Sequence, residues 1–345
     1  MSVVRVGLIG YGYWGTNLAR NVATTPMLRL AAVAEAEATC RARAIAEHPA
    51  VPVHDDPEAL LARDDIDAVM LATPASTHGE LGMEALRTGR HLFVEKPLAL
   101  DRKTAGVLVD EAARRARVLM VGHTYLYSPA VVYLRQLVEA GVFGDLRYLH
   151  SQRLLGQARP DCGVHWDLAS HDVSIILYLL GERPAQVSAR AFCHLDIEHH
   201  DTCFANLVFP SGIDASIHVS WVNPTKVRLL TAVGTERMAV YDDVPLDGKI
   251  TLHDVRLDDI GPGPSPAYAQ IPYRTGAGAS HVPSLPVAEP LRQEVEAFSR
   301  ACALGCDPLS GGAFGLDVVA VVEAAQESVL QAGHPVTVDW GADGP

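Results

Sequence analysis

The hydrophobic pattern divides the chain into two regimes. Residues 4–10, VRVGLIG, form a near-continuous apolar run, as expected of a strand buried on both faces. Residues 16–25 change to helical spacing, residues 28–35 (LRLAAVAE) return to a buried strand, and residues 38–48 are helical again. Residues 51–66 predict a short strand and then a helix, capped by Asp55 or Asp56 with Pro57 in its first turn. Strands at 67–74, 90–97 and 117–125 alternate with helices at 76–89 and 101–116. Repeated strand–helix units predict a parallel, doubly wound sheet over a first domain, 1–123.

Beyond residue 124 the pattern changes. A helix is expected over 128–144, a strand over 145–155 and one helix over 165–181 that stops at Gly181. Strands follow at 185–195, 201–209, 213–222, 226–234, 237–243 and 249–255, separated by turn signals such as PSG, GT and DG. The Pro/Gly-rich stretch 261–286 reads as a long loop, functional or mobile, and helices at about 289–305 and 313–332 close the chain. Residues 124–345 are thus an α+β domain with a mainly antiparallel sheet. The apolar alternation on its outer face needs cover, which predicts a homodimer or homotetramer.

Composition narrows the function. Of 345 residues, 48% are hydrophobic, which supports packed cores and argues against disorder. No apolar run approaches the roughly 20 residues that span a bilayer, and the N-terminus lacks a basic start and cleavage site, so a cytoplasmic protein is expected. A formal net charge of −13 without a basic stripe argues against nucleic acid and anionic membranes. The six cysteines lie scattered and read as free thiols; Cys302 and Cys306 lack the second close pair that a zinc site requires.

The first candidate site is Gly10-x-Gly12-x-x-Gly15, between the first buried strand and a helix. Gly10 permits the tight turn, Gly12 lets a pyrophosphate approach the backbone, and Gly15 lets helix and strand pack closely. The helix N-terminus offers N–H groups to phosphate. Glu35, which ends the second strand, suits both ribose hydroxyls and repels a 2′-phosphate, so NAD is expected over NADP. Glu95 and Lys96 end a parallel strand, where ligands bind. Lys96 can donate to a substrate oxygen, and Glu95 can hold it in place.

The segments GLIGYGYWG, ATPASTHGELGMEALRTGRHLFVEKPLAL, VGHTYLYSPAV, WDLASHD, SWVNPTKVR, VGTERMAVYDD and EPLRQEVEAF resemble the Gfo/Idh/MocA oxidoreductases, over nearly the whole chain. The resemblance implies a Rossmann domain, a second domain with an open, largely antiparallel sheet, and nicotinamide at their junction. It implies a catalytic or substrate-orienting role for Lys96, and a proton-transfer motif at Asp167 and His171. Cofactor contacts would fall on Tyr13, Trp14, Thr73, Pro74, His78, Glu95 and His123. The chain departs from family habit at Ala169, where glycine is frequent, and at Leu126 and Tyr127, where many relatives carry an arginine; this places borrowed substrate contacts in doubt.

WDLASHD puts Asp167 and His171 four residues apart, so on a regular helix they share a face. His171 would then act as general base or acid, with Asp167 bonding the imidazole or a substrate hydroxyl, and Lys96 would stabilise charge on the reacting oxygen. Trp166 and Tyr125 can stack on nicotinamide or a sugar face, or simply pack. Cys162, His165, Asp167 and His171 mix ligand types without a zinc spacing, so no metal is expected; HLDIEHHD (194–201) reads as a solvated hairpin loop, and Asp172 as a cap or surface acid. The expected substrate is a sugar or sugar-nucleotide, with oxidation or reduction at C3 of a hexose. Its pyrophosphate would call on Arg153, Arg159, Lys226, Arg228 or Arg274. The acidic balance suits instead an amino sugar, aminoglycoside or aminocyclitol of antibiotic biosynthesis. An NAD-retaining redox glycosidase and a non-catalytic dinucleotide sensor are the remaining alternatives.

Overall fold

A computed structural model of the chain describes residues 3–155, 158, 161–195, 198–259 and 273–341. The first domain runs β1 (Val4–Ile9), α1 (Tyr13–Thr24), β2 (Leu28–Ala34), α2 (Ala38–Glu47), β3 (Val53–His54), α3 (Pro57–Leu61), β4 (Ala68–Leu71), α4 (His78–Arg87), β5 (His91–Glu95), α5 (Arg102–Arg114) and β6 (Leu119–Gly122). Its strands are all parallel, in the order β3-β2-β1-β4-β5-β6. That order is the doubly wound dinucleotide-binding arrangement, with its reversal point beside β1 and β4. Helices cover both faces, so Val6, Leu8, Val69, Leu71 and Phe93 are all buried and the strands read as unbroken apolar runs.

The second domain contains α6 (Pro129–Glu139), β7 (Leu146–Leu154), α7 (Ser170–Leu180), β8 (Gln186–Phe192), β9 (Thr202–Val208), β10 (Asp214–Ser220), β11 (Val227–Gly234), β12 (Arg237–Asp242), β13 (Ile250–Asp259), β14 (Tyr273–His281), α8 (Pro290–Leu304), α9 (Gly312–Leu330) and β15 (Val336–Thr337). The strands form one open sheet in the order β14-β13-β12-β11-β7-β10-β9-β8-β15. Only β7 and β10 pair in parallel; the other neighbours are antiparallel. The inner face buries Ala205, Leu207, Ile217, Val219 and Leu230 in a core shared with α7 and α9. The outer face exposes Tyr148, Phe192, Phe204 and Val208, and the Phe204 ring stacks on His218 at 4.2 Å.

α8 returns to the first domain. Leu291, Val295 and Phe298 join a core with Leu8, Leu18, Met70 and Phe93, and the Phe298 ring meets Phe93 edge-on at 5.7 Å. Burying each such side chain contributes roughly 1.5–3 kcal/mol, enough to dock the helix there despite its late place in the sequence.

Two expectations change. Part of the expected loop 261–286 is the strand β14, which pairs with β13. A sheet edge offers unpaired backbone groups to any extended neighbour, and this strand's small residues carry little apolar signal. Residues 260–272 lie outside the described residues. The expected single helix 165–181 is in fact a π-helical turn, His165–Ala169, leading into α7. Among the described residues, no helix is long and apolar enough to cross a membrane, and no disulfide joins any of the cysteines.

Candidate active site

The site begins at the glycine turn after β1. Gly10 has φ +92, and a Cβ there would lie 2.5 Å from the Ala72 carbonyl oxygen. A Cβ on Gly15 would lie 2.1 Å from the Gly10 carbonyl oxygen. Both positions need glycine for packing. Gly12 is different: it caps α1 without a side-chain hydrogen bond, and a Cβ there would meet nothing within 4 Å. Open space thus faces the uncapped N–H groups of a helix start, which suits an anionic phosphate. Glu35, directly after β2, accepts hydrogen bonds from the Tyr11 and Glu37 backbone N–H groups, so its carboxylate sits against this turn. The chain's residues fit a dinucleotide.

A cavity of about 560 Å³ extends from the turn to the second domain. Tyr13, Trp14, Thr73, Pro74, Glu95 and Lys96 form its first-domain wall, and Arg153, Leu155, Asp167 and Arg228 form the opposite wall. A larger groove, about 730 Å³, lies between α6, α7 and α9, but its charges are engaged in the Arg135–Glu139 and Arg183–Asp317 ion pairs.

At the junction Lys96 leaves the end of β5 almost fully buried. Its Nζ donates to the Asp167 carbonyl at 2.7 Å and to Asp167 Oδ1 at 2.9 Å. Asp167 Oδ2 accepts from Trp221 Nε1 at 3.2 Å. Asp167 therefore serves the lysine, which corrects the expected Asp167–His171 pairing. The physical reason is tertiary approach: the end of β5 brings the Lys96 ammonium onto Asp167, and Trp221 takes its other oxygen, while His171 Nδ1 is left without a partner.

His171 sits in the first turn of α7, its ring edge-on to Tyr125 at 5.0 Å. Its Nδ1 is buried without a hydrogen-bond partner. Burial, reinforced by the positive charges of Lys96, Arg153 and Arg228, pushes its pKa well below the usual histidine value. The imidazole is neutral and able to accept a proton. Tyr125 lies under Arg153, with the guanidinium carbon 4.4 Å from the ring centroid, and Arg228 approaches the same ring at 5.9 Å.

Asp172 is neither a cap nor a surface acid. It is 2% exposed and accepts from Ser151 Oγ at 2.7 Å and from Arg153 Nε and Nη2 at 3.1 and 3.2 Å. The α7 register turns it to the sheet, where β7 supplies the cation. Trp166 faces away from the dinucleotide cavity into a separate space of about 300 Å³ beside His165; successive helical residues point in different directions, and the lysine side belongs to Asp167. His78 is buried, with its ring nitrogens 2.8 Å from the Pro97 carbonyl and 3.0 Å from the Thr73 carbonyl. It braces two cavity segments from behind. His123 is likewise buried behind Lys96, packed edge-on to Phe314 at 5.8 Å, with both ring nitrogens unpartnered. Burial and the Lys96 charge push its pKa down to about 3.

The candidate metal ligands do not converge: His165 Nε2 meets Gln326, Asp167 meets Lys96, and no cluster of three ligand-type side chains is found among the described residues. In the 194–201 loop, Asp201 is buried and binds the backbone N–H groups of His194 and Leu195. Of the remaining cations, Lys226 is exposed, Arg274 lies on β14 opposite Asp258, and Arg159 lies outside the described residues. Three contributors escaped the sequence. Trp221 looked like one more strand aromatic. Leu155 lines the cavity at φ +67. Glu294 of α8 is fully buried and accepts from Thr124 Oγ1 at 2.7 Å; burial and the charge of Glu95 push its pKa well up.

Comparison with known proteins gives the following. Residues 4–123 match the model of an oxidoreductase family with an NAD-binding Rossmann fold, and residues 131–240 match the GFO/IDH/MocA C-terminal domain. The chain is 31% identical to the UDP-N-acetylglucosamine 3-dehydrogenase of Acidithiobacillus ferrooxidans, over 96% of this chain and 100% of that one. It is 27% identical to an inositol 2-dehydrogenase of Rhizobium meliloti, over 95% and 97%. A solved structure of the Acidithiobacillus enzyme superposes with a TM-score of 0.78 at 30% identity, over 95% of this chain and 98% of that one. A levoglucosan dehydrogenase in complex with NADH and levoglucosan shares the fold, with a TM-score of 0.82 at 22% identity over 98% and 100%.

Proposed function

The chain belongs to the Gfo/Idh/MocA family of oxidoreductases, with an NAD-binding Rossmann domain, and from that premise we propose that it interconverts a secondary alcohol and a ketone at C3 of a nucleotide-linked hexose. The observation that carries this reading is the Lys96 ammonium held by Asp167 on the wall of the cavity that starts at the glycine turn.

When bound, NAD supplies the hydride acceptor or donor. The chain's residues handle binding, orientation and the proton. The N-terminus of α1 and Gly12 hold phosphate, and Glu35 addresses the ribose. Tyr13, Trp14, Thr73, Pro74 and Glu95 line the cofactor's side of the cavity. Lys96 has three N–H donors. Two are directed to Asp167, and the third serves the substrate oxygen, where the positive charge stabilises a developing alkoxide. Neutral His171 takes the hydroxyl proton in oxidation and returns it in reduction.

Arg153 and Arg228 support an anionic, nucleotide-linked substrate over a cationic amino sugar. Asp243 holds Lys249 at 2.6 Å but Arg228 only at 3.5 Å, so Arg228 presents incompletely balanced charge to the cavity. The outer sheet face with Tyr148, Phe192, Phe204 and Val208 is proposed to pair with a second copy; a monomer in sedimentation would refute that pairing.

The test is nicotinamide-linked turnover of UDP-N-acetylglucosamine, other UDP-hexoses, free hexoses, inositols and aminoglycosides, with NAD and with NADP. UDP-hexose turnover that falls by about 10²-fold or more in Lys96→Met and in His171→Ala supports the proposal. Full turnover in both variants would overturn the assigned chemistry. Turnover confined to aminoglycosides would overturn the substrate class, as would release of free sugar with retained cofactor.

A further inference from the structure

We propose that Trp221 is a positioning residue for Lys96, acting through Asp167; this rests on the role given to Lys96 above. Trp221 directly follows β10 and is 5% exposed. Its backbone N–H is fixed on the Asp201 carbonyl at 2.9 Å, so the indole springs from a clamped strand end. Its Nε1 donates to Asp167 Oδ2 at 3.2 Å, while Asp167 Oδ1 and the Asp167 carbonyl both accept from Lys96 Nζ.

The three residues form a line across the molecule: second-domain strand end, π-turn, first-domain strand end. An indole N–H only donates, so it holds Oδ2 as an acceptor and helps fix the plane in which the carboxylate lies. A carboxylate held at one oxygen turns its other oxygen to the lysine in one orientation. Without the indole N–H, Oδ2 loses a donor and the carboxylate plane is less tightly fixed, so the Lys96 ammonium, though still bonded to Asp167, directs its third N–H to the substrate less precisely.

The packing role of the ring separates cleanly from the role of its N–H. Trp221→Phe keeps most of the apolar bulk and removes the donor. With a UDP-hexose as probe, the expected result is a fall in kcat of about tenfold, the loss of roughly one hydrogen bond to a charged group. KM changes little, the split expected when a substrate-orienting group rather than a binding surface is disturbed. In an Asp167→Ala background the same substitution should cost almost nothing, because the acceptor of the indole N–H is already gone. If Trp221→Phe folds poorly, benzothienylalanine at position 221, with ring sulfur in place of N–H, preserves the shape and should show the same kcat loss. Either variant retaining wild-type kcat overturns the proposal, as does an equal loss in the Asp167→Ala background. Undiminished turnover in Lys96→Met would instead overturn the reading of the site itself, whatever Trp221 does.

Discussion

Replacing Gly12 by alanine tests the cofactor site without disturbing the fold. Gly12 has φ −70 and ψ −154, which an L-residue adopts without strain. The added Cβ meets no protein atom within 4 Å. Alanine costs about 0.5–1 kcal/mol relative to glycine at an N-cap and regains about 0.4–1 kcal/mol from reduced freedom of the unfolded chain. Stability should therefore change by less than about 0.5 kcal/mol. Binding should not be spared, because the methyl group occupies the space through which a pyrophosphate reaches the N–H groups of α1. Losing one hydrogen bond to a charged oxygen costs roughly 1.5–3 kcal/mol, or about 10- to 150-fold in Kd. The assay is NADH titration by fluorescence or calorimetry, paired with a denaturant melt. Gly15→Ala is the control with the opposite profile, since its Cβ collides with the Gly10 carbonyl and should weaken the fold itself. A Gly12→Ala protein that binds NADH like wild type would show that no phosphate sits at this turn.

Two further outcomes follow from the electrostatics. Asp172→Ala leaves Arg153 buried without its carboxylate and should destabilise the protein by about 3–5 kcal/mol; a change under about 1 kcal/mol in denaturant melts would mean the pair is not buried as described. His123 has a folded pKa near 3 against an unfolded value of 6.5, so its stabilising contribution is complete above about pH 6.5 and declines as pH falls below that, by up to about 1.4 kcal/mol per pH unit. His123→Phe should thus lose less stability than wild type between about pH 7 and pH 5, by roughly 2 kcal/mol. Parallel losses in the two proteins would refute the depressed pKa.

The first domain was legible because its signals are local and redundant. Unbroken apolar runs require two covered faces, and each is followed by a helix-period segment, so a parallel sheet is nearly forced. The alternation in TCFANLV, with Phe204, Asn206 and Val208 outward, likewise marks a one-face sheet. What remained invisible were pairings set by tertiary approach. Nothing local tells Glu294 that it lies near Glu95, or α8 that it belongs against Phe93. β14 was missed because backbone pairing, not side-chain pattern, makes it a strand.

The central motif shows the limit most sharply. Asp167 and His171 were assigned to one face on the assumption of 3.6 residues per turn. The π-turn winds wider than that, yet leaves the hydrophobic pattern intact, because His165, Trp166 and Ala169 within it and Val173 and Ile176 after it are all buried. A segment buried all round carries no periodic signal from which a change of winding can be read. The consequence is chemical. The carboxylate bonds Lys96 rather than the imidazole, and burial together with the nearby cations holds His171 uncharged. The same positive field that favours an alkoxide on the substrate disfavours an imidazolium beside it. Proton acceptance by His171 is therefore coupled to the build-up of negative charge on the substrate oxygen, and the contact that couples them joins Lys96 to Asp167, 71 residues apart, where no local pattern can reveal it.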